Sequence, residues 1–191
     1  MKTRLLAPPW CKPGLTEETI EAITLIEDDV WKEASIRFSA VRDAKIKTGK
    51  SAPKGMQRYL NEVLIERFTS NGWDGEAGYF YKNKTWIRIT FRHQMSLGSD
   101  FLDALKVCKL EGMEQALILA ANRKTLDLIS PNDASAIVSF EKLEREVISL
   151  NGVIDIPLLI GELTPSSSAS NDINRELEKA RPRDITIPAV P

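Results

Sequence analysis

Residues 78–93 constrain the fold more than any other stretch. Segments 78–82 and 85–93 are rich in aromatic and β-branched side chains, and Asn83 and Lys84 between them suit a tight turn, so the stretch predicts a β-hairpin. Successive side chains of a strand point to opposite faces. Ile87, Ile89 and Phe91 therefore share one face of the second strand, and Trp86, Arg88, Thr90 and Arg92 share the other. Residues 116–121 are continuously apolar, the pattern of a central strand buried on both faces.

Helical patterns surround these strands. Thr16 is placed to cap a helix, and Glu17 and Glu18 favour its positive end. Ile20, Ile23, Leu25, Ile26, Val30 and Trp31 recur near helical period along it, with Glu27, Asp28 and Asp29 read as a solvated face. Segment 42–58 holds six basic residues and one acidic residue, with Gly49, Pro53 and Gly55, and reads as a mobile basic loop. A helix through Tyr59, Leu60, Val63, Leu64 and Phe68 ends at Asn71-Gly72. A further helix spans about 99–110, capped by Ser99 or Asp100. Short helices fall near 122–129 and 132–138, and a stronger one after Ser139 carries Phe140, Leu143, Val147 and Leu150. Residues 156–160 read as a last strand, with Pro157 at its start or on an edge.

The ends read differently. Pro8, Pro9, Pro13 and Gly14 mark 1–15 as an extended lead. The serine-rich run after Pro165 and the prolines near the end mark 165–191 as a flexible tail. One domain over 16–164 remains, and 42% hydrophobic residues suffice for its core. Two distant cysteines, Cys11 and Cys108, and a single histidine, His93, argue against a zinc site or a disulfide framework and suit a reducing cytoplasm. No apolar run approaches a membrane span and none suits a signal peptide. The net charge of −1 means that nucleic-acid binding would need local positive charge.

The order helix, basic loop, helix, hairpin, helix, strand, helices, strand resembles the core of type II restriction endonucleases of the BglII, BstYI and BamHI group, with the PD-(D/E)xK nuclease fold. Ala52-Pro53, Leu60-Asn61-Glu62 and a helix ending in Asn71-Gly72-Trp73 resemble that group's second helix, which likewise follows a lysine-rich loop. Residues 80–92 resemble its central catalytic hairpin without a gap, and Leu117 through Leu126 and 156–161 resemble its later core segments. The resemblance covers roughly 16–164. It implies an α/β, restriction-endonuclease-like core: a mixed central β-sheet flanked by helices.

The chemistry implied by the resemblance is not carried over with the fold. Its divalent-metal site needs two acids and a polar or acidic partner, and these positions fall at Tyr79, Arg88 and Thr90. The usual following glycine falls at Arg92. Arg88 and Arg92 on one strand face can bind a phosphate directly, or Arg88 can simply pair with a nearby acid. The function expected is that of a DNA-binding pseudo-nuclease in a defence or restriction-related system, without a metal cofactor. Its DNA contacts are assigned to Arg88, Arg92, His93, Lys82 and Lys84, and to Lys45, Lys47, Lys50, Lys54 and Arg58 of the basic segment. Double-stranded DNA and a second copy in a homodimer are the partners expected, with a protein partner at the tail. One alternative is a magnesium-dependent DNA endonuclease with relocated ligands, Asp74, Glu76 and Asp103. Another is a protein-interaction scaffold.

Overall fold

The computed structural model describes residues 1–11, 13–76 and 78–165. Its elements are, in chain order, β1 (Lys2–Leu6), α1 (Glu17–Glu27), α2 (Val30–Lys47), α3 (Gln57–Ser70), β2 (Asp74–Glu76), β3 (Tyr79–Lys82), β4 (Thr85–Thr90), α4 (Leu97–Leu110), β5 (Gln115–Ala121), α5 (Arg123–Ile129), α6 (Phe140–Ser149) and β6 (Leu158–Thr164). The strands form one mixed sheet in the order β1-β6-β5-β4-β3-β2. β4, β5 and β6 run parallel at its centre, which requires crossover connections, and α4 and the α5–α6 segment supply them. The other neighbours pair antiparallel.

The alternation in β4 divides the core as the sequence predicts. Ile87, Ile89 and Phe91, with Leu117 and Leu119 of β5, pack against Ile26, Trp31, Leu60, Leu64 and Phe68 of α1, α2 and α3. Trp86, with Ile118 and Ala120, packs on the opposite face against Phe101, Ala104 and Val107 of α4 and Leu143 and Val147 of α6. Phe68 stacks on Phe80 at 4.2 Å and meets Trp73 edge-on at 5.2 Å. Such pairs contribute about 0.5–1.5 kcal/mol each beyond burial and pin the hairpin to α3. Thr16 caps α1, and Ser139 caps α6. No helix among the described residues is long and apolar enough to cross a membrane.

Several expectations are corrected. The lead over 1–15 is not separate from the domain, because Lys2–Leu6 pairs along β6 and closes the edge that β6 would otherwise expose. The first helical pattern is two helices. Asp29 adopts a left-handed conformation (φ 53°) and turns the chain between α1 and α2. The basic segment is not one mobile loop: α2 continues through Lys47, and α3 begins at Gln57. The connection between them is tied down where the buried Met56 donates its backbone N–H to the Ile129 carbonyl at 2.8 Å. Neither Ser99 nor Asp100 caps α4, which begins at Leu97 directly after a 3-10 turn over Gln94–Ser96. The last strand begins at Leu158, two residues later than predicted, and runs to Thr164. Apart from Pro165, the tail expected over 165–191 lies outside the described residues.

Candidate functional site

The hairpin register places Tyr79 directly opposite Arg88, with Glu76 of β2 next in the same row. Arg88 projects from the face of β4 that α4 covers. The 3-10 turn after β4 leads the chain straight into α4, whose first turn carries Asp100, and Asp103 lies three residues on, on the same helical face. Asp100 thereby reaches both Arg88 on the strand and Arg92 just past its end, and Asp103 reaches Arg88. Arg88 Nε lies 3.1 Å from Asp100 Oδ1 as an ion pair rather than an aligned hydrogen bond. An Arg88 terminal nitrogen lies 3.4 Å from Asp103 Oδ2, and Arg92 Nη1 donates to Asp100 Oδ1 at 2.9 Å.

These groups differ in access to water. Asp100 and Thr90 are wholly buried and Arg88 is 7% exposed, whereas the Arg92 side chain is 44% exposed. The Arg88 guanidinium also sits 5.4 Å from the Tyr79 ring and 5.9 Å from the Trp86 ring, within cation–π range. Burial pushes the Asp100 carboxyl above the ordinary carboxylate range, while Arg88 and Arg92 pull against that rise. Arg88 therefore directs its charge inward. Of the two readings open for Arg88, the internal ion pair is the one this geometry forms, and Arg92 is the arginine that keeps an outward edge.

A cleft of about 350 Å³ opens beside this cluster, lined by Tyr79, Trp86, Arg88, Asp103, Lys106 and Glu111 among others. It does not suit a divalent metal. Magnesium needs near-octahedral oxygen ligands, including at least one carboxylate. Here a phenol, a guanidinium and a buried hydroxyl stand at the expected positions, and the nearby Asp100 is already ion-paired with two guanidiniums. The relocated set is not assembled either. Asp74 and Glu76 are exposed on β2 at the sheet edge, while Asp103 faces Arg88 from α4. No cluster of three His, Cys, Asp or Glu side chains suited to a metal occurs among the described residues.

The remaining basic candidates separate into two sets. Lys82 is bound by Glu21 at 2.8 Å and by the Asn71 carbonyl, Lys84 pairs with Glu114, and Arg58 pairs with Glu62 at 2.7 Å. Lys45, Lys47, Lys50 and Lys54 are exposed and have no carboxylate partner among the described residues. His93 is exposed, and its Nδ1 accepts from the Met95 backbone N–H to cap the 3-10 turn.

Sequence reasoning missed two links. It read Asp100 as a helix cap rather than the acid between two arginines; the Asp100–Asp103 spacing opposite Arg88 was the available signal. It also missed Gln57, whose side chain donates to the Phe91 carbonyl at 3.0 Å. That bond joins the start of α3, flanked by Lys54 and Arg58, to the end of β4 from which Arg92 and His93 emerge.

No protein-family model matches the chain, and no curated protein matches it. Among solved structures, restriction endonuclease BglII complexed with a DNA 16-mer aligns with a TM-score of 0.54 and 15% identity, over 87% of this chain and 79% of that one. Free BglII aligns with a TM-score of 0.49 and 14% identity, over 87% and 81% respectively. At this identity the likeness to the complexed structure shows the fold, which is restriction-endonuclease-like.

Proposed function

We propose that the protein binds duplex DNA on a restriction-endonuclease-like fold and does not cut it by a metal-dependent mechanism. The observation that carries this reading is the Arg88–Asp100–Arg92 ion-pair cluster. Where the fold's catalytic metal would sit, the buried carboxylate is already engaged by two guanidiniums, so it is not free to serve as a ligand to a divalent cation. The fold supports DNA as the partner, since the similar BglII structure holds a DNA 16-mer. Lys45, Lys47, Lys50 and Lys54 add local positive charge in a chain of net charge −1. Arg92 and these lysines are the contacts we assign, and Arg88 supports the site from within. A homodimer is the assembly that suits a two-fold DNA site. The role is that of a regulator or targeting subunit in a restriction-related or defence system, an assignment supported by fold likeness alone.

The test is a titration of the whole protein with a short labelled duplex at about 50 and 200 mM salt, with and without magnesium. Affinity that falls with salt and does not depend on magnesium is the expected result. Plasmid cleavage abolished by EDTA would replace this reading with that of an active nuclease. Absence of salt-dependent binding would leave a protein-interaction scaffold.

A further inference from the structure

We propose that Asp100 is the positioning residue of the DNA contact, acting through Arg92; this rests on the DNA-binding reading above. A connected series of groups runs from the core to the surface. The Arg88 guanidinium lies against Tyr79 and Trp86, its Nε lies 3.1 Å from Asp100 Oδ1, and the same oxygen accepts from Arg92 Nη1 at 2.9 Å. Asp100 is wholly buried in the first turn of α4, so its carboxylate has little room to move. Arg92 is held at one corner of its guanidinium, and its side chain remains 44% exposed.

A guanidinium has five donors in one plane, so an edge held by a carboxylate leaves others for a phosphate oxygen. An arginine already fixed in the free protein loses less conformational freedom when DNA arrives, and that raises affinity. The place is suitable. Arg92 follows the end of β4 immediately after Phe91, whose carbonyl holds Gln57 at the start of α3, and Lys54, which has no carboxylate partner among the described residues, lies three residues before Gln57. A backbone phosphate seated against Arg92 would meet a fixed donor edge with an exposed lysine near it.

The inference makes a prediction opposite in sign to simple electrostatics. Asp100 is an acid close to a phosphate contact, so charge alone says that Asp100→Asn should tighten DNA binding. Positioning says that it should weaken binding, because Arg92 is released from its ionic anchor. We expect roughly a tenfold weaker Kd for Asp100→Asn, the equivalent of losing much of one charge-assisted contact. Arg92→Ala should lose at least as much, and the double variant, where folded, should bind no worse than Arg92→Ala, since Asp100 reaches DNA only through that side chain while its pair with Arg88 serves stability.

The experiment is fluorescence anisotropy of a short labelled duplex of mixed sequence against the full chain and these variants, with folding checked by circular dichroism. A purely structural role for Asp100 would weaken the double variant beyond Arg92→Ala, and that result overturns the proposal. So does Asp100→Asn binding as tightly as the parent or more tightly, or Arg92→Ala binding like the parent. If Asp100→Asn does not fold, Arg92→Lys decides. It keeps the charge but not the planar fork, so a loss close to that of Arg92→Ala supports the proposal, and parental affinity overturns it. A parent protein that shows no salt-dependent binding removes the DNA-binding reading itself, a result distinct from all of these.

Discussion

Replacing Arg88 with methionine tests whether its charge serves the interior. Methionine keeps much of the aliphatic volume beneath Tyr79 and Trp86 but leaves Asp100 without its buried partner. Removing one member of a buried ion pair typically costs about 3–5 kcal/mol, because the other charge stays uncompensated. Asp100 retains Arg92 at 2.9 Å, so the expected loss here is smaller, about 2–4 kcal/mol. An exposed pair would cost only about 0–1 kcal/mol. Urea unfolding followed by circular dichroism at neutral pH should show a midpoint lower by roughly 1–2 M, given slopes of about 1–3 kcal/mol per molar for domains of this size.

The loss should also depend on pH. Asp100 already has its carboxyl raised by burial, and without Arg88 it rises further. A raised carboxyl binds its proton more tightly folded than unfolded, so the folded state loses stability as pH climbs from the ordinary carboxylate range through the raised value. The penalty of Arg88→Met should therefore shrink on acidification towards the ordinary carboxylate range, as the carboxyl takes up a proton. A loss below about 1 kcal/mol at neutral pH, with no pH dependence, would refute the internal ion pair and return Arg88 to the list of outward cations.

Three further outcomes are expected. Replacing Lys45, Lys47, Lys50 and Lys54 one at a time with alanine should lower the slope of log affinity against log salt by about one for each lysine that contacts a phosphate, and an unchanged slope across all four would remove this segment from the interface. Burial pushes the Cys108 thiol up to about 11, so iodoacetamide should modify it at roughly a hundredth of its unfolded rate near pH 8, as read by mass spectrometry; equal rates would refute the assignment. Gly78 has φ +88° and an added Cβ would lie 2.6 Å from the Ile89 carbonyl oxygen, so Gly78→Ala should cost about 1–3 kcal/mol, and a thermal midpoint equal to the parent's would contradict this strain.

Local pattern alone determined the centre of this protein. Period-two alternation over 85–91 placed Ile87, Ile89 and Phe91 on one face and Arg88 and Thr90 on the other, because a strand offers no third direction. The continuous apolar run over 116–121 suited a strand covered on both sides, and β5 lies between β4 and β6 accordingly. Thr16 and Ser139 marked helix starts because their hydroxyls satisfy amide groups only a few residues away. What escaped the sequence depends on partners distant along the chain. β1 becomes a strand because β6, some 160 residues later, offers it an edge, and no alternation in Lys2–Leu6 announces that pairing. The basic segment 42–58 resembles a loop by composition, yet its first part is helical as the end of α2, which packs against α3. Which of its two readings Arg88 follows, and which acid it meets, was beyond reach for the same reason. An arginine on a strand face can turn to solvent or to an acid, and the choice was made by Asp100, which α4 carries into the low-dielectric space above β4, where an unpaired guanidinium would be far more costly than a paired one.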